Sequence, residues 1–115
     1  MAVLMTTSTY AATFQMTAPS SNDNLQLNSQ FIIKWTSSDK TNNLKLILRR
    51  NGALVGNIVE NLPVSTLSYN LTVGKYLGGT ASPGSGYTIH GQTMNNGPYA
   101  DSSAFTISGG AVPSH

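Results

Sequence analysis

The feature that most constrains this chain is the alternation of apolar and polar residues in short segments separated by glycine, proline, asparagine or serine. Successive side chains of a β-strand point to opposite faces, so such alternation is typical of strands with one buried face. It is clearest in segments 30–35, 44–49 and 67–73. Because no helical period of useful length occurs, the pattern predicts an all-β chain.

The spacing of these segments predicts a particular architecture. Asn51-Gly52 joins two of them and is a strong signal for a type I′ hairpin turn, which needs positive φ at both central residues. About seven short strands in one domain of this length are typical of an immunoglobulin/fibronectin III-like β-sandwich. We predict the sandwich over residues 13–108, an N-terminal extension or extra edge strand over 1–12, and a flexible tail over 109–115.

The composition excludes several classes of function. Charged residues make up 9% of the chain and the net charge is +2, which gives no footprint for a nucleic-acid backbone. No apolar run approaches the ~20 residues of a membrane span, and the apolar opening of five residues is too short for an intact secretory signal. With no cysteine, disulfides, thiol catalysis and cysteine-ligated metals are excluded. Instead, 14 serines, 13 threonines and 11 asparagines predict a surface of hydroxyls and amides.

The inventory of catalytic side chains is small. The four acidic residues, Asp23, Asp39, Glu60 and Asp101, all lie in predicted turns or at strand ends, where such side chains serve turn geometry. His90 is the one histidine before the C-terminal residue, and the alternation predicts it on the solvated face of its strand. We therefore expect no enzyme, cofactor or metal site; the alternative is an enzyme that uses His90 with an acid such as Asp101.

The aromatic residues divide into two groups. Those at inward strand positions are predicted to form the core, with Trp35 at its centre: Phe14, Phe31, Trp35, Tyr69, Tyr87 and Phe105. Three tyrosines lie instead in loop or terminal contexts, where a ring can stack on a sugar and nearby amides can bond its hydroxyls. The predicted sugar contacts are Tyr10, Tyr76, Tyr99, Asn95 and Asn96. The alternative is that each tyrosine seals a loop onto the end of the sandwich.

Two further features concern the surface. Asn70-Leu71-Thr72 is an N-glycosylation sequon, and Asn70 alternates with inward neighbours, so its side chain is predicted to face solvent. Ile47 and Val55 are predicted to point away from the core, which would leave an apolar outer face and favour a homodimer.

The order of five motifs resembles the Kre/Knh-type domain of fungal cell-wall proteins, the Ser-Thr-rich GPI-anchored family. The motifs are TAPSS at 17–21, FIIKWTSS at 31–38, LKL at 44–46, GYTI at 86–89 and DSSAFTI at 101–107, and the resemblance covers about residues 14–108. It implies an immunoglobulin-like sandwich, a secreted or cell-wall location, and a non-catalytic role in β-glucan assembly or binding. The alternative function is a secreted or self-associating protein-interaction module.

Overall fold

The computed structural model describes residues 13–21, 23–38, 40–94 and 97–109. Within these residues the regular structure consists of strands and one 3₁₀ turn, Val64–Thr66. The strands are β1 (Phe14–Ala18), β2 (Asn24–Gln26), β3 (Gln30–Ser37), β4 (Asn43–Arg50), β5 (Ala53–Pro63), β6 (Ser68–Thr72), β7 (Lys75–Tyr76), β8 (Gly79–Thr80), β9 (Gly84–Thr93), β10 (Tyr99–Asp101) and β11 (Phe105–Ser108).

These strands form two main sheets and a small hairpin. The small sheet has the order β1-β3-β6, and the large sheet has the order β2-β11-β9-β4-β5, with β10 paired to β9. The strands β7 and β8 pair with each other. Every pairing is antiparallel except that of β11 with β2. The predicted all-β architecture is therefore confirmed.

The core lies between the two main sheets and contains the residues whose alternation faces inward. Trp35 of β3 is buried at its centre, and its indole N–H donates to the carbonyl oxygen of Val64 at 2.9 Å. The large sheet contributes buried side chains from β4 and β9. Of the six aromatic residues predicted in the core, Phe14, Trp35, Tyr87 and Phe105 are buried, while Phe31 and Tyr69 are half-buried and pack against the core.

The hairpin between β4 and β5 forms where Asn51-Gly52 predicts it. Asn51 has φ 52° and Gly52 has φ 84°, as a type I′ turn requires. By contrast, residues 74–86, whose glycines, proline and serines favour a loop, contain the β7–β8 hairpin and the start of β9, and β10 was not predicted at all. These pieces are two or three residues long, so they carry too little alternation to be recognised.

The predicted apolar outer face at Ile47 and Val55 is wrong. Ile47 does lie outside the core cluster, in register with His90 of β9 and Asn57 of β5, but only 8% of it is exposed. Val55 is half-buried and packs against the core instead. The outer face of β4 is thus flanked by two paired strands and presents no open apolar patch at these positions.

Besides the sugar contacts treated below, three sequence predictions concern residues outside the described part of the chain. The predicted extension over 1–12 is one, and nearly all of the predicted tail over 109–115 is another. Asp39, predicted in a turn, is the third. Within the described residues, no helix has the length and apolar character needed to cross a membrane.

Candidate functional site

Tyr99 lies at the beginning of β10, on the outer face of the large sheet. Strand β10 is antiparallel to β9, with Tyr99 opposite Gln92 and Asp101 opposite His90. Gly91, between the two β9 residues, faces inward, where an added Cβ would lie 2.7 Å from the Phe14 ring. His90 and Gln92 therefore face outward, and residues directly opposite them share that face. Tyr99 is 65% exposed there.

The side chain of His90 contacts three neighbouring side chains on this face. Its ring centroid lies 5.5 Å from that of Tyr99, at an interplanar angle of 40°. Its Nδ1 lies 2.7 Å from Asp101 Oδ1, and its Nε2 lies 3.3 Å from Gln92 Oε1. Since a carboxylate accepts and does not donate, Nδ1 supplies the hydrogen to Asp101. The imidazole thus hydrogen-bonds to Asp101 and contacts Gln92 and Tyr99.

The prediction of a solvated His90 is wrong, because only 5% of the residue is exposed. The alternation placed it correctly on the outer face of β9. However, β10 lies along that strand and brings the Tyr99 ring and the Asp101 carboxylate against the imidazole. The buried imidazole is stabilised by the hydrogen bond that its Nδ1 donates to Asp101.

We call the outer face formed by Tyr99, His90, Gln92 and Asp101 the Tyr99 surface. Lys45 of β4 lies opposite Gln92 and extends it by one strand. The side chain of Gln92 is oriented by a hydrogen bond, which its Nε2 donates to the Thr93 carbonyl oxygen at 3.1 Å. The surface combines an exposed aromatic ring with an amide and a carboxylate, which are the groups that can stack on a pyranose ring and bond its hydroxyls.

The contact between His90 and Asp101 is the pair that the enzyme alternative requires. In a hydrolytic triad the second imidazole nitrogen faces a nucleophilic hydroxyl. Here Nε2 faces the amide oxygen of Gln92. The nearby hydroxyl of Ser102 instead accepts from the Ile89 N–H and donates to the Ser103 carbonyl. Among the described residues, His90 Nε2 is therefore not paired with a nucleophilic hydroxyl.

Among the described carboxylates, Asp101 and Glu60 are not placed as a glycosidase pair. Asp101 is on β10 and Glu60 is on β5, and β9 and β4 lie between them. Three interstrand steps place these backbones about 14 Å apart, whereas paired catalytic carboxylates are separated by about 5–9.5 Å. Among the described residues, no group of three or more His, Cys, Asp and Glu side chains could hold a metal ion.

Tyr76 has a different environment from Tyr99. Its ring packs over β5, where an added Cβ at Gly56 would lie 2.7 Å from Tyr76 Cε2 and 2.9 Å from Cγ. It is half-buried and packs against the core, as a tyrosine that seals the sandwich would. Its remaining surface lines a groove of about 290 Å³ between β6 and β7. The groove is lined by Ile58, Tyr69, Asn70, Leu71, Thr72, Lys75, Tyr76 and Leu77.

The other predicted residues are found at separate places. Asn70 of β6 is exposed, as predicted. Tyr10, Asn95 and Asn96, predicted as sugar contacts, lie outside the described residues. The structure therefore does not bring the predicted contacts into one described site: Tyr99 is on β10 and Tyr76 is beyond β5, at opposite sides of the large sheet.

Two carboxylates predicted in turns do have local partners. Asp23 accepts from the Ser20 N–H at 2.8 Å. The prediction for Glu60 is wrong, because Glu60 lies within β5, where it accepts from the Asn57 amide at 2.7 Å. Gln92 and Lys45 of the Tyr99 surface were not identified from the sequence. The signal for Gln92 is its position two residues after His90, which puts both on one face of the strand. The surface could not be assembled from the sequence because β10, which brings Tyr99 beside Gln92, was not predicted.

The fold is that of an immunoglobulin/fibronectin III-like β-sandwich, as predicted. Among solved structures, it is similar to the fibronectin(III)-like modules of CbhA from Clostridium thermocellum, with a TM-score of 0.55. The sequence identity is 16%, and the match covers 86% of this chain and 100% of that one. No family model and no curated protein sequence matches the chain. At this identity the likeness concerns the fold alone.

Proposed function

We propose that this chain is a non-catalytic module that binds a cell-wall polysaccharide, with β-glucan as the expected ligand, through the Tyr99 surface. The observation that carries the proposal is an aromatic ring that is 65% exposed and yet held by an ordered neighbour, His90. A ring that contacts a buried neighbour has less conformational entropy to lose on binding than a ring without such a contact, which favours affinity.

The surroundings of Tyr99 suit a neutral, hydroxyl-rich ligand. Gln92 offers an amide and Asp101 a carboxylate beside the ring, and sugar hydroxyls both donate and accept. The whole chain carries few charges, so long-range attraction of an ionic ligand contributes little. The choice of β-glucan and of a secreted or cell-wall location comes from the resemblance to the Kre/Knh-type fungal family.

Co-sedimentation with insoluble β-1,3-glucan and β-1,6-glucan, with chitin and cellulose for comparison, tests this proposal. We expect retention on one of the glucans, and about tenfold weaker retention of Tyr99→Ala, which corresponds to about 1.4 kcal/mol. Tyr99→Phe is the matched control, because it keeps the ring and removes only the hydroxyl. Absence of retention on every polysaccharide would refute the proposal.

The second candidate function is a protein-interaction module, and one observation favours it. Five large apolar or aromatic side chains are exposed among the described residues, and three of them lie beside β6 rather than near Tyr99. They are Ile32, Leu67 and Leu77. Exposed apolar side chains near one sheet edge are typical of surfaces that contact other proteins. A module of this kind would show no glucan retention and would associate with a protein instead.

A further inference from the structure

The edge of the small sheet at β6 differs from the other sheet edges. Strand β6 pairs with β3 alone among the described strands, so one of its sides is open. Open edges of natural sheets are usually protected by a charge, a proline, a bulge or very short length. Residues 68–72 have the sequence SYNLT, and the pairing with β3 runs over five residues without a register shift. Strand β6 itself thus contains no charge, proline or bulge, and a groove lined by Lys75, Tyr76 and Leu77 borders it.

The other edge strands have such protections. Strand β1 has a register shift between Met16 and Ala18, and a proline follows it. Strand β5 has several register shifts and ends at Pro63, and its Asn57 carbonyl oxygen accepts from the Leu77 N–H at 2.7 Å. Strands β2 and β10 are only three residues long. Among the described edges, β6 is the one suited to pairing.

The direction of the free backbone groups on β6 follows from its ladder. The Trp35 N–H donates to the Leu67 carbonyl, and the Val73 N–H donates to the Ser29 carbonyl. Hydrogen-bonded and non-hydrogen-bonded pairs alternate along an antiparallel ladder, so the odd-numbered residues of β6 bond to β3. The N–H and C=O groups of the even-numbered residues therefore point to the open side. These residues are Ser68, Asn70 and Thr72.

Apolar surface accompanies this edge. Ile32, the ladder partner of Asn70, is 49% exposed, and Leu67, just before the strand, is 36% exposed. Leu77 is 57% exposed and lines the groove of about 290 Å³ that borders β6. Pairing of backbone groups alone gives a marginal association, whereas burial of such side chains adds a hydrophobic contribution.

We propose that a second copy of this chain pairs with β6, strand to antiparallel strand, about a two-fold axis at Asn70. Asn70 then lies opposite the partner's Asn70, and Ser68 lies opposite the partner's Thr72. Each pair exchanges two main-chain hydrogen bonds, and the two small sheets become one continuous sheet. Because SYNLT is uncharged and small polar residues meet across the axis, no like charges oppose each other.

The dimer is independent of the proposed glucan binding. The Tyr99 surface is on the large sheet, and β6 is at the edge of the small sheet, so neither site uses the residues of the other. Asn70 also belongs to the sequon, and a glycan there would stand beside the two-fold axis. The test therefore uses protein made in a bacterium, which leaves Asn70 unmodified.

The experiment places a charged residue at position 70, on the two-fold axis. Sedimentation equilibrium and native mass spectrometry then measure the number of copies per particle over a hundredfold range of concentration. The unmodified chain is expected to shift from one to two copies. Asn70→Asp and Asn70→Lys each place like charges opposite each other and are expected to remain monomeric. An equimolar mixture of the two variants is expected to form a one-to-one heterodimer.

The matched controls are Gln15→Asp and Gln15→Lys, at an exposed position on β1, the opposite edge of the same sheet. Both are expected to dimerise like the unmodified chain. The proposal is overturned if the unmodified chain stays monomeric throughout the range. It is overturned equally if both Asn70 variants still dimerise alone, or if their mixture forms no heterodimer.

Discussion

Tyr76 and Tyr99 have similar local sequences, since each lies near glycine, serine or asparagine residues. In the fold, however, the two rings differ in burial. Tyr76 lies over Gly56 at the β5 edge and packs against the core. Tyr99 is 65% exposed, beside His90 at the β10 side of the same sheet. The comparison teaches that a tyrosine in a sequence typical of loops can contact a ligand with its ring only where the fold leaves that ring exposed.

The largest expected effect on the free energy of unfolding comes from a substitution in the core, against which both regions lie. Trp35→Ala is expected to lower the free energy of unfolding by about 3–5 kcal/mol, since it empties the centre of the sandwich. Trp35→Phe retains much of the volume but removes the N–H that donates to Val64, so its expected cost is about 1–2 kcal/mol. Urea unfolding of both variants measures these values. A loss below about 1 kcal/mol in Trp35→Ala would contradict the assignment.

Tyr76→Ala tests the structural side of the comparison. Its half-buried ring packs on β5, so we expect a loss of about 2 kcal/mol in the free energy of unfolding. Tyr76→Phe is the control and should differ from the unmodified chain by less than about 0.5 kcal/mol. If Tyr76→Ala kept its stability and lost glucan retention, the two tyrosines would have to exchange their assigned roles.

His90→Ala tests whether the surface around Tyr99 depends on its buried neighbour. The change removes the hydrogen bond to Asp101, and we expect a cost of about 1–2 kcal/mol in unfolding free energy. With the ring contact gone, Tyr99 becomes less ordered, and glucan retention should fall about threefold. Thr88→Ala, two residues earlier on the same strand, is the control and should leave retention unchanged. Unchanged retention in a folded His90→Ala would argue against preorganisation.

The sequence predicted the parts of the fold that local chemistry determines. The Asn51-Gly52 turn needs only backbone conformations that its own residues favour, and Trp35 lies in a strand whose alternation is clear. His90 was misjudged because its environment depends on β10, three residues whose pairing is set by tertiary contacts. The Tyr99 surface could be predicted only in part for the same reason: the ring was identified, but the residues that hold it were not.

The most direct test of the comparison is to measure thermal unfolding and glucan retention on the same preparations of Tyr99→Ala and Tyr76→Ala. We expect Tyr99→Ala to keep its stability within about 0.5 kcal/mol and to lose about tenfold in retention on the glucan that the unmodified chain binds. Tyr76→Ala should show the reverse, with lower stability and, while folded, unchanged retention. Full retention by folded Tyr99→Ala would contradict the account, because the exposed ring would then have no part in binding.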